Sequence, residues 1–255
     1  MLKLQGIKKD FNTTSVLKGI DLEIADGEIV SILGASGSGK TTLLNIILGL
    51  EEVSSGKLIF DEQDITKVSM EKRPFNIVFQ DYALFPNLSA YENLTYGLKR
   101  NKHLTSQEEL DELIILLDLQ EHLHKPIQQL SGGQKQRVAL GRTLVMKPKV
   151  LLLDEPLSAL DGVIKESIKE RIQTIAKTLN LTTIIVTHDP EEALTMSDKI
   201  LVLDEGEVAQ FSTPDEVVQN VSNQFVRRLI VDQLEIKRKN IERIFTQNLK
   251  VVDRL

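Results

Sequence analysis

Gly34-Ala35-Ser36-Gly37-Ser38-Gly39-Lys40-Thr41 is the stretch of the chain best equipped for phosphate chemistry. Glycines without Cβ atoms let several backbone N–H groups converge on one anion, and a helix start beyond them adds its positive dipole end. The spacing fits the P-loop pattern. It predicts phosphate contacts from Gly34, Ser36, Gly37, Ser38 and Gly39. Lys40 would reach the β- and γ-phosphates, Thr41 would ligate Mg²⁺ and Thr42 would donate to an earlier phosphate.

Further along, the apolar run Val150–Leu153 ends in Asp154-Glu155-Pro156. Two acids at the carboxyl end of a buried strand would face the same sheet edge as the phosphate loop. Asp154 then suits Mg²⁺, and Glu155 suits a general base on the attacking water. A plain Asp-Glu-Pro turn is the bland alternative. Leu130-Ser131-Gly132-Gly133-Gln134, ahead of a helical run, reads two ways. Ser131 caps the helix, or Ser131 and Gly133 form a second anion site. A second cradle implies two ligands, or one ligand shared between chains.

These residues need elements to hold them. Alternating apolar positions over the first thirty or so residues predict antiparallel strands. The run Ile29–Leu33 predicts a strand before the glycine loop, and Lys40 to about Leu48 a helix with Gly49 as its C-cap. Residues 57–60 read as strand. Residues 85–145 read as mainly helical, most clearly at 108–119. Beyond them come strand 150–153, helix 162–179, strand 182–187, helix 191–196 and strand 200–203. The fold class expected is α/β: a P-loop core with a parallel sheet, an N-terminal antiparallel β subdomain and an inserted α-helical subdomain.

Composition narrows the function. A net charge of −6 argues against a general polyanion binder, so no nucleic acid is expected as partner. The chain has no cysteine, which excludes thiolate metal sites and fits a cytosolic address. No apolar run approaches the ~20 residues of a membrane span, so a membrane role would need a partner. An Asn-Lys-x-Asp guanine-reading sequence is also missing, which disfavours a GTPase.

With the order of its motifs in view, the sequence resembles the ATP-binding subunits of ABC transporters over about residues 1–230. Leu130–Gln134 reads LSGGQ, the family's signature. The resemblance implies a head-to-tail dimer sandwiching two ATP molecules, in which Ser131 and Gly133 act on the nucleotide of the opposite subunit. Val78-Phe79-Gln80 is similar to the Q-loop, so Gln80 would reach Mg²⁺ and the attacking water. Ser158-Ala159-Leu160-Asp161 resembles the D-loop at the dimer interface, and Thr187-His188-Asp189 the switch whose histidine contacts the γ-phosphate. Phe11 stands where the family often stacks adenine on tyrosine. Stacking needs only the aromatic face. The alternative is that Phe11 packs inside the β-lobe.

The stretch Gln80–Leu88, followed by Tyr91-Glu92-Asn93-Leu94, is most similar to bacterial importers for polyamines, ferric iron, phosphonates or sugars. The resemblance implies a second copy or a homologous ATPase, transmembrane permease subunits, a solute-binding protein and a place on the cytoplasmic face of the plasma membrane. Export or a non-transport ATPase role is the alternative. The domain reading is an ATPase domain over 1–220, with a helical subdomain at about 85–145, and an amphipathic helical extension over 221–255 in place of a full regulatory β domain. That extension carries eight Lys/Arg against four Asp/Glu. Its apolar residues Val226, Ile230, Leu234, Ile241, Phe245, Leu249 and Val252 fit a helix lying across the protein's own surface. A dimer or permease contact and direct lipid binding are the other readings.

Overall fold

The computed structural model describes residues 1–252 apart from Ala159, with side chains as far as Thr246. Ala159 and the side chains of Leu249 and Val252, all singled out above, lie outside the described residues. In chain order the elements are β1 (Leu2–Phe11), β2 (Thr14–Ile24), β3 (Ile29–Gly34), α1 (Lys40–Leu48), β4 (Ser55–Phe60), β5 (Gln63–Asp64) and β6 (Phe75–Val78). Then follow α2 (Ala90–Leu94), α3 (Gln107–Leu116), α4 (Gly132–Leu144), β7 (Val150–Asp154), α5 (Gly162–Thr178), β8 (Thr182–Val186) and α6 (Pro190–Met196). The chain closes with β9 (Lys199–Asp204), β10 (Glu207–Ser212), α7 (Pro214–Gln219), α8 (Gln224–Val226) and α9 (Asp232–Val252), a π-helical turn at Arg227–Val231 joining the last two.

Two sheets organise these pieces. One is antiparallel in the order β2-β1-β4-β5, and the other runs β10-β9-β3-β8-β7-β6. In the second sheet β9, β3, β8, β7 and β6 are parallel, and only β10 pairs antiparallel at the edge. The fold class expected from the sequence is therefore observed, with that antiparallel edge added. β3, β7 and β8 are buried along almost their whole length, as a sheet covered on both faces requires.

Helix α1 lies between the two sheets. Its Leu43, Leu44, Ile46, Ile47 and Leu48 share one core with Leu2, Leu4 and Ile20 of the antiparallel sheet and with Val30, Leu152 and Ile184 of the parallel one. A second core joins the other face of the parallel sheet to the helical lobe, through Leu94, Leu110, Leu117, Val138, Leu151 and Ile185. Within that lobe the structure departs from a long helical block. Ser89, Ser106 and Ser131 each cap a new helix and complete a capping box with Glu92, Glu109 and Gln134. The helix expected to run to Leu119 stops at Leu116.

Candidate nucleotide-hydrolysis site

Four neighbouring parallel strands, β3, β8, β7 and β6, end at one edge of the sheet. Register fixes this: Asp154 lies opposite Val186, Val186 opposite Ile32, and Val78 opposite Leu153. The residues that follow those ends are the glycine loop, His188, Glu155 and Gln80. Sequence positions more than a hundred residues apart thus reach one place because their strands stop level.

The glycine loop is built around residues that tolerate no side chain. Gly37 and Gly39 have φ of 81° and 101°. A Cβ on Gly34 would lie 2.4 Å from the Leu203 carbonyl and 2.5 Å from Ser38 Oγ. The loop wraps Lys40, whose Nζ donates to the carbonyls of Gly34 at 2.8 Å and Ala35 at 2.9 Å. Burial pushes the Lys40 ammonium below its ordinary pKa, and Glu155 and Asp154 partly restore it. Ser38 Oγ is buried without a hydrogen-bond partner. An orphaned hydroxyl beside a half-buried ammonium is costly in an empty fold and favourable once an anion arrives.

Across from the loop, Glu155 accepts from Gln80 Nε2 at 3.4 Å and lies 3.2 Å from His188 Nδ1. Gln80 Nε2 also donates to Ser158 Oγ at 3.3 Å, and Ser158 Oγ donates to the Glu155 carbonyl at 2.9 Å. Glu155 sits in the left-handed region at φ 46°, with its amide on the Val186 carbonyl at 2.9 Å. His188 keeps 65% of its side chain exposed. The carboxyl of Asp154 is raised above its ordinary pKa by burial and by Glu155, against the pull of Lys40.

A divalent cation fits these donors. Thr41, Asp154 and the Gln80 amide oxygen are hard ligands. Among the described residues no cluster of three His, Cys, Asp or Glu could cage a metal without help.

Other residues singled out by the sequence stand apart. Ser131 Oγ accepts from the Gln134 amide at 3.3 Å, while Gln134 Oε1 accepts from the Ser131 amide at 2.9 Å, so the serine does cap its helix. Gly133 is buried, and a Cβ there would come within 2.8 Å of Ile164 Cγ2, so α4 and α5 pack through it. Asp161 precedes α5 without a side-chain cap bond. Phe11 is 42% exposed beneath the Lys9 ammonium, 4.6 Å from its ring centre, so it does not pack inside the β-lobe. In the segment after Gln80, Tyr82 is buried, whereas Tyr91 and Tyr96 are exposed.

Three polar anchors carry no motif. Arg73 is buried and donates to four backbone carbonyls, two of them at the end of α1. Asn93 is fully buried and holds the Phe85–Ser89 segment through four hydrogen bonds. Arg142 donates to the Tyr82 carbonyl at 2.9 Å and the Ala83 carbonyl at 2.6 Å.

A glycine phosphate loop and a strand-end acid pair on one parallel sheet define a P-loop nucleoside triphosphate hydrolase. Comparison with known proteins narrows this. The ABC transporter family model matches residues 17–158. The spermidine/putrescine import ATP-binding protein PotA of Haemophilus ducreyi is 44% identical over 98% of this chain and 68% of its own length. Its counterpart from Spiroplasma citri is 45% identical over 91% and 67%. The chain thus spans about two thirds of these relatives. Among solved structures, the dimeric post-hydrolysis state of the ATP-binding cassette MJ0796 bound to ADP and Pi aligns with a TM-score of 0.73 and 32% identity, covering 84% of this chain and 99% of that one. CbiO1 of Clostridium perfringens, part of an ABC transporter complex, gives 0.79 and 31%, covering 96% and 98%. The chain belongs to the ABC transporter family, as an ATP-hydrolysing subunit.

Proposed function

We propose that the chain powers solute import through a bacterial ABC transporter, working as one half of a head-to-tail nucleotide-sandwich dimer on the cytoplasmic face of permease subunits. The observation that carries this is the convergence of Lys40, Glu155, Gln80 and His188 at one sheet edge, with Ser38 unsatisfied beside them. In this reading Gly34 to Gly39 cradle the phosphates, and Lys40 exchanges its two loop carbonyls for β- and γ-phosphate oxygens. Thr42 donates to an earlier phosphate and Phe11 stacks on the adenine. Thr41, Asp154 and Gln80 would hold Mg²⁺, which when bound would offset the charge of the phosphates.

Glu155 takes a proton from the attacking water as its oxygen bonds to the γ-phosphorus. The bond to the β–γ bridging oxygen breaks, and ADP leaves with that electron pair. His188 donates to the γ-phosphoryl oxygens, where charge spreads in the transition state. Its exposure, like that of Ser131, suits a group completed by a partner chain, and Asp161 would cross the same interface. Capping and lid roles coexist for Ser131, because one hydroxyl can accept from its own helix and donate to a phosphate.

The relatives' names bring spermidine or putrescine as the cargo, delivered by a solute-binding protein and passed through the permeases. The exposed Tyr91 and Tyr96, with the half-buried Phe85 packed on Tyr96, would meet those permeases. Residues 1–220 form the ATPase domain in this proposal, with the helical subdomain near 85–145 and the helical extension over 221–255.

Two experiments test the reading. Glu155→Gln should trap a stable dimer with Mg-ATP at very low turnover. Monomers at saturating Mg-ATP with undiminished turnover overturn it. Mixed dimers with Ser131→Ala in one chain and Lys40→Ala in the other should keep one intact pocket and one doubly damaged pocket. Equal impairment of both pockets refutes the shared site.

A further inference from the structure

Among the described residues His188 has one polar side-chain partner, Glu155, but the residues on either side of it are held by one network of charges. Thr187 donates from Oγ1 to Glu192 Oε2 at 2.5 Å and accepts from the Asp189 amide at 3.1 Å. Glu192 pairs with Lys165 of α5 at 2.6 Å, and Lys165 also reaches Asp189 Oδ2 at 3.2 Å. The other oxygen, Asp189 Oδ1, accepts from the Glu191 amide at 2.9 Å, as the cap of α6. It also receives Lys237 Nζ at 3.4 Å, and that ammonium lies 3.1 Å from Glu191.

Lys237 belongs to α9, so the C-terminal helix touches the residue next to the histidine. Of the other charged pairs of α9, Asp232 meets Arg227 just before the helix, while Arg238 with Glu242 and Lys239 with Glu235 stay within it. Among the described residues, Lys237 is the only one beyond Asp232 that bonds off the helix. Val226, Ile230 and Leu234 seat the start of the segment on a core formed with Leu33, Ala193 and Val217. Past Lys237 the same helix face stands free, with Ile241, Ile244 and Phe245 more than half exposed.

Three carboxylates, of Asp189, Glu191 and Glu192, meet two ammonium groups here. Burial opposes the charge on Asp189, but the Glu191 amide, Lys165 and Lys237 outweigh it and hold the carboxyl below its ordinary pKa. Loss of Lys237 leaves three acids around one lysine. Repulsion would then turn the Asp189 carboxylate outward, and the peptide units that aim His188 would loosen with it.

We propose that Lys237 is a positioning residue for His188, tying the C-terminal helix to the switch through Asp189. The inference rests on the ATPase reading for its effect on turnover, but the tether itself is measurable without nucleotide.

The test compares Lys237→Ala, Lys237→Arg and Ile241→Ala in the full chain. Hydrogen exchange over residues 187–192 should quicken in Lys237→Ala alone. Exchange identical to wild type overturns the proposal, whatever turnover does. With Mg-ATP, kcat should fall about two- to five-fold in Lys237→Ala at low salt, the range an exposed ion pair can supply. KM and the unfolding midpoint should hold, Lys237→Arg should restore the rate, and ~1 M salt should shrink the difference. A KM that rises while kcat holds, or an equal loss in Ile241→Ala, also overturns it. If exchange quickens but Glu155→Gln hydrolyses ATP as fast as wild type, the tether stands and the proposed hydrolytic role of Glu155 fails.

Discussion

Arg73 offers a sharp test of how the phosphate loop is held, because it anchors the far end of the helix that carries Lys40. Its guanidinium is buried and, among the described residues, has no carboxylate partner. Nη1 donates to the carbonyls of Ile46 and Ile47, both at 2.7 Å, Nε to Val68 at 2.8 Å and Nη2 to Thr66 at 3.2 Å. Ile46 and Ile47 lie in the last turn of α1, where carbonyls lack helical donors and the dipole end is negative. Gly49 completes the arrangement. It holds φ 89°, and a Cβ there would stand 2.9 Å from the guanidinium carbon. Burial depresses the Arg73 pKa, and the four charge-assisted bonds act against that desolvation.

Truncating Arg73 to alanine removes those bonds and recovers the desolvation of the cation. It strands the Ile47 carbonyl and half-strands that of Ile46, which keeps the Gly49 amide at 3.1 Å. At about 1–3 kcal/mol per unsatisfied buried group, plus the void, the loss is about 3–4 kcal/mol. In a chain of this size that corresponds to a drop of about 8–12 °C in unfolding temperature. Arg73→Lys keeps one cation able to reach about two carbonyls and should lose roughly half as much. Arg73→Met fills the space without donors and separates packing from bonding. Calorimetry at neutral pH measures all three. If Arg73→Met melts within about 1 °C of wild type, carbonyl satisfaction is not what holds α1, and the reasoning fails.

Asp154→Asn should stabilise the nucleotide-free protein at pH 7 by about 1 kcal/mol or less after solvent screening, while abolishing Mg-ATP turnover. The folded carboxyl holds its proton to higher pH than the ordinary 3.8, so the burden it imposes grows as pH rises above that value. The melting difference should therefore hold at neutral pH and shrink as pH falls through the folded pKa toward 3.8, and a difference as large at pH 3.5 as at pH 7 refutes the cause. Asn93→Ala should cost about 2–3 kcal/mol by stranding the Phe85 amide and neighbouring carbonyls, and limited proteolysis should then cut near residues 85–89. Gly133→Ala should lower ATPase activity more than stability. Its Cβ meets a methyl of the partly exposed Ile164, which can shift and take the start of α4 with it.

The sequence made the phosphate loop, the strand-end acids and the two-sheet architecture legible, because each rests on local chemistry. Glycines at positive φ, an unbroken apolar strand and an alternating one are visible without knowing the neighbours. β6 has four residues and little pattern of its own, and β10 reads as a polar edge, so neither was expected. The lobe's division into short helices was written in the text as Ser89-x-x-Glu92 and Ser106-x-x-Glu109, the same cap pattern as at Ser131. Arg73, Asn93 and Arg142 could not be found that way. Their partners are backbone carbonyls and amides, several of them dozens of residues away, and a carbonyl leaves no letter in a sequence.

One of those anchors, Arg142, also explains where the backbone is forced. Most non-glycine residues at positive φ sit where a turn asks for it, as Asn12, Asp61 and Glu205 do between paired antiparallel strands. Tyr82, Ala83 and Glu155 close no hairpin, and each costs on the order of 1–2 kcal/mol in the left-handed region. All three follow the ends of β6 or β7 at the catalytic edge. Arg142 fixes the Tyr82 and Ala83 carbonyls, and Val186 fixes the Glu155 amide, so tertiary bonds impose a conformation that these residues do not choose. Arg142 lies on the helix that Ser131 begins. A shift of that helix as a partner closed on Ser131 would therefore pull on the strained turn just past Gln80, so the two halves of the proposed site are joined inside one chain before any nucleotide joins two.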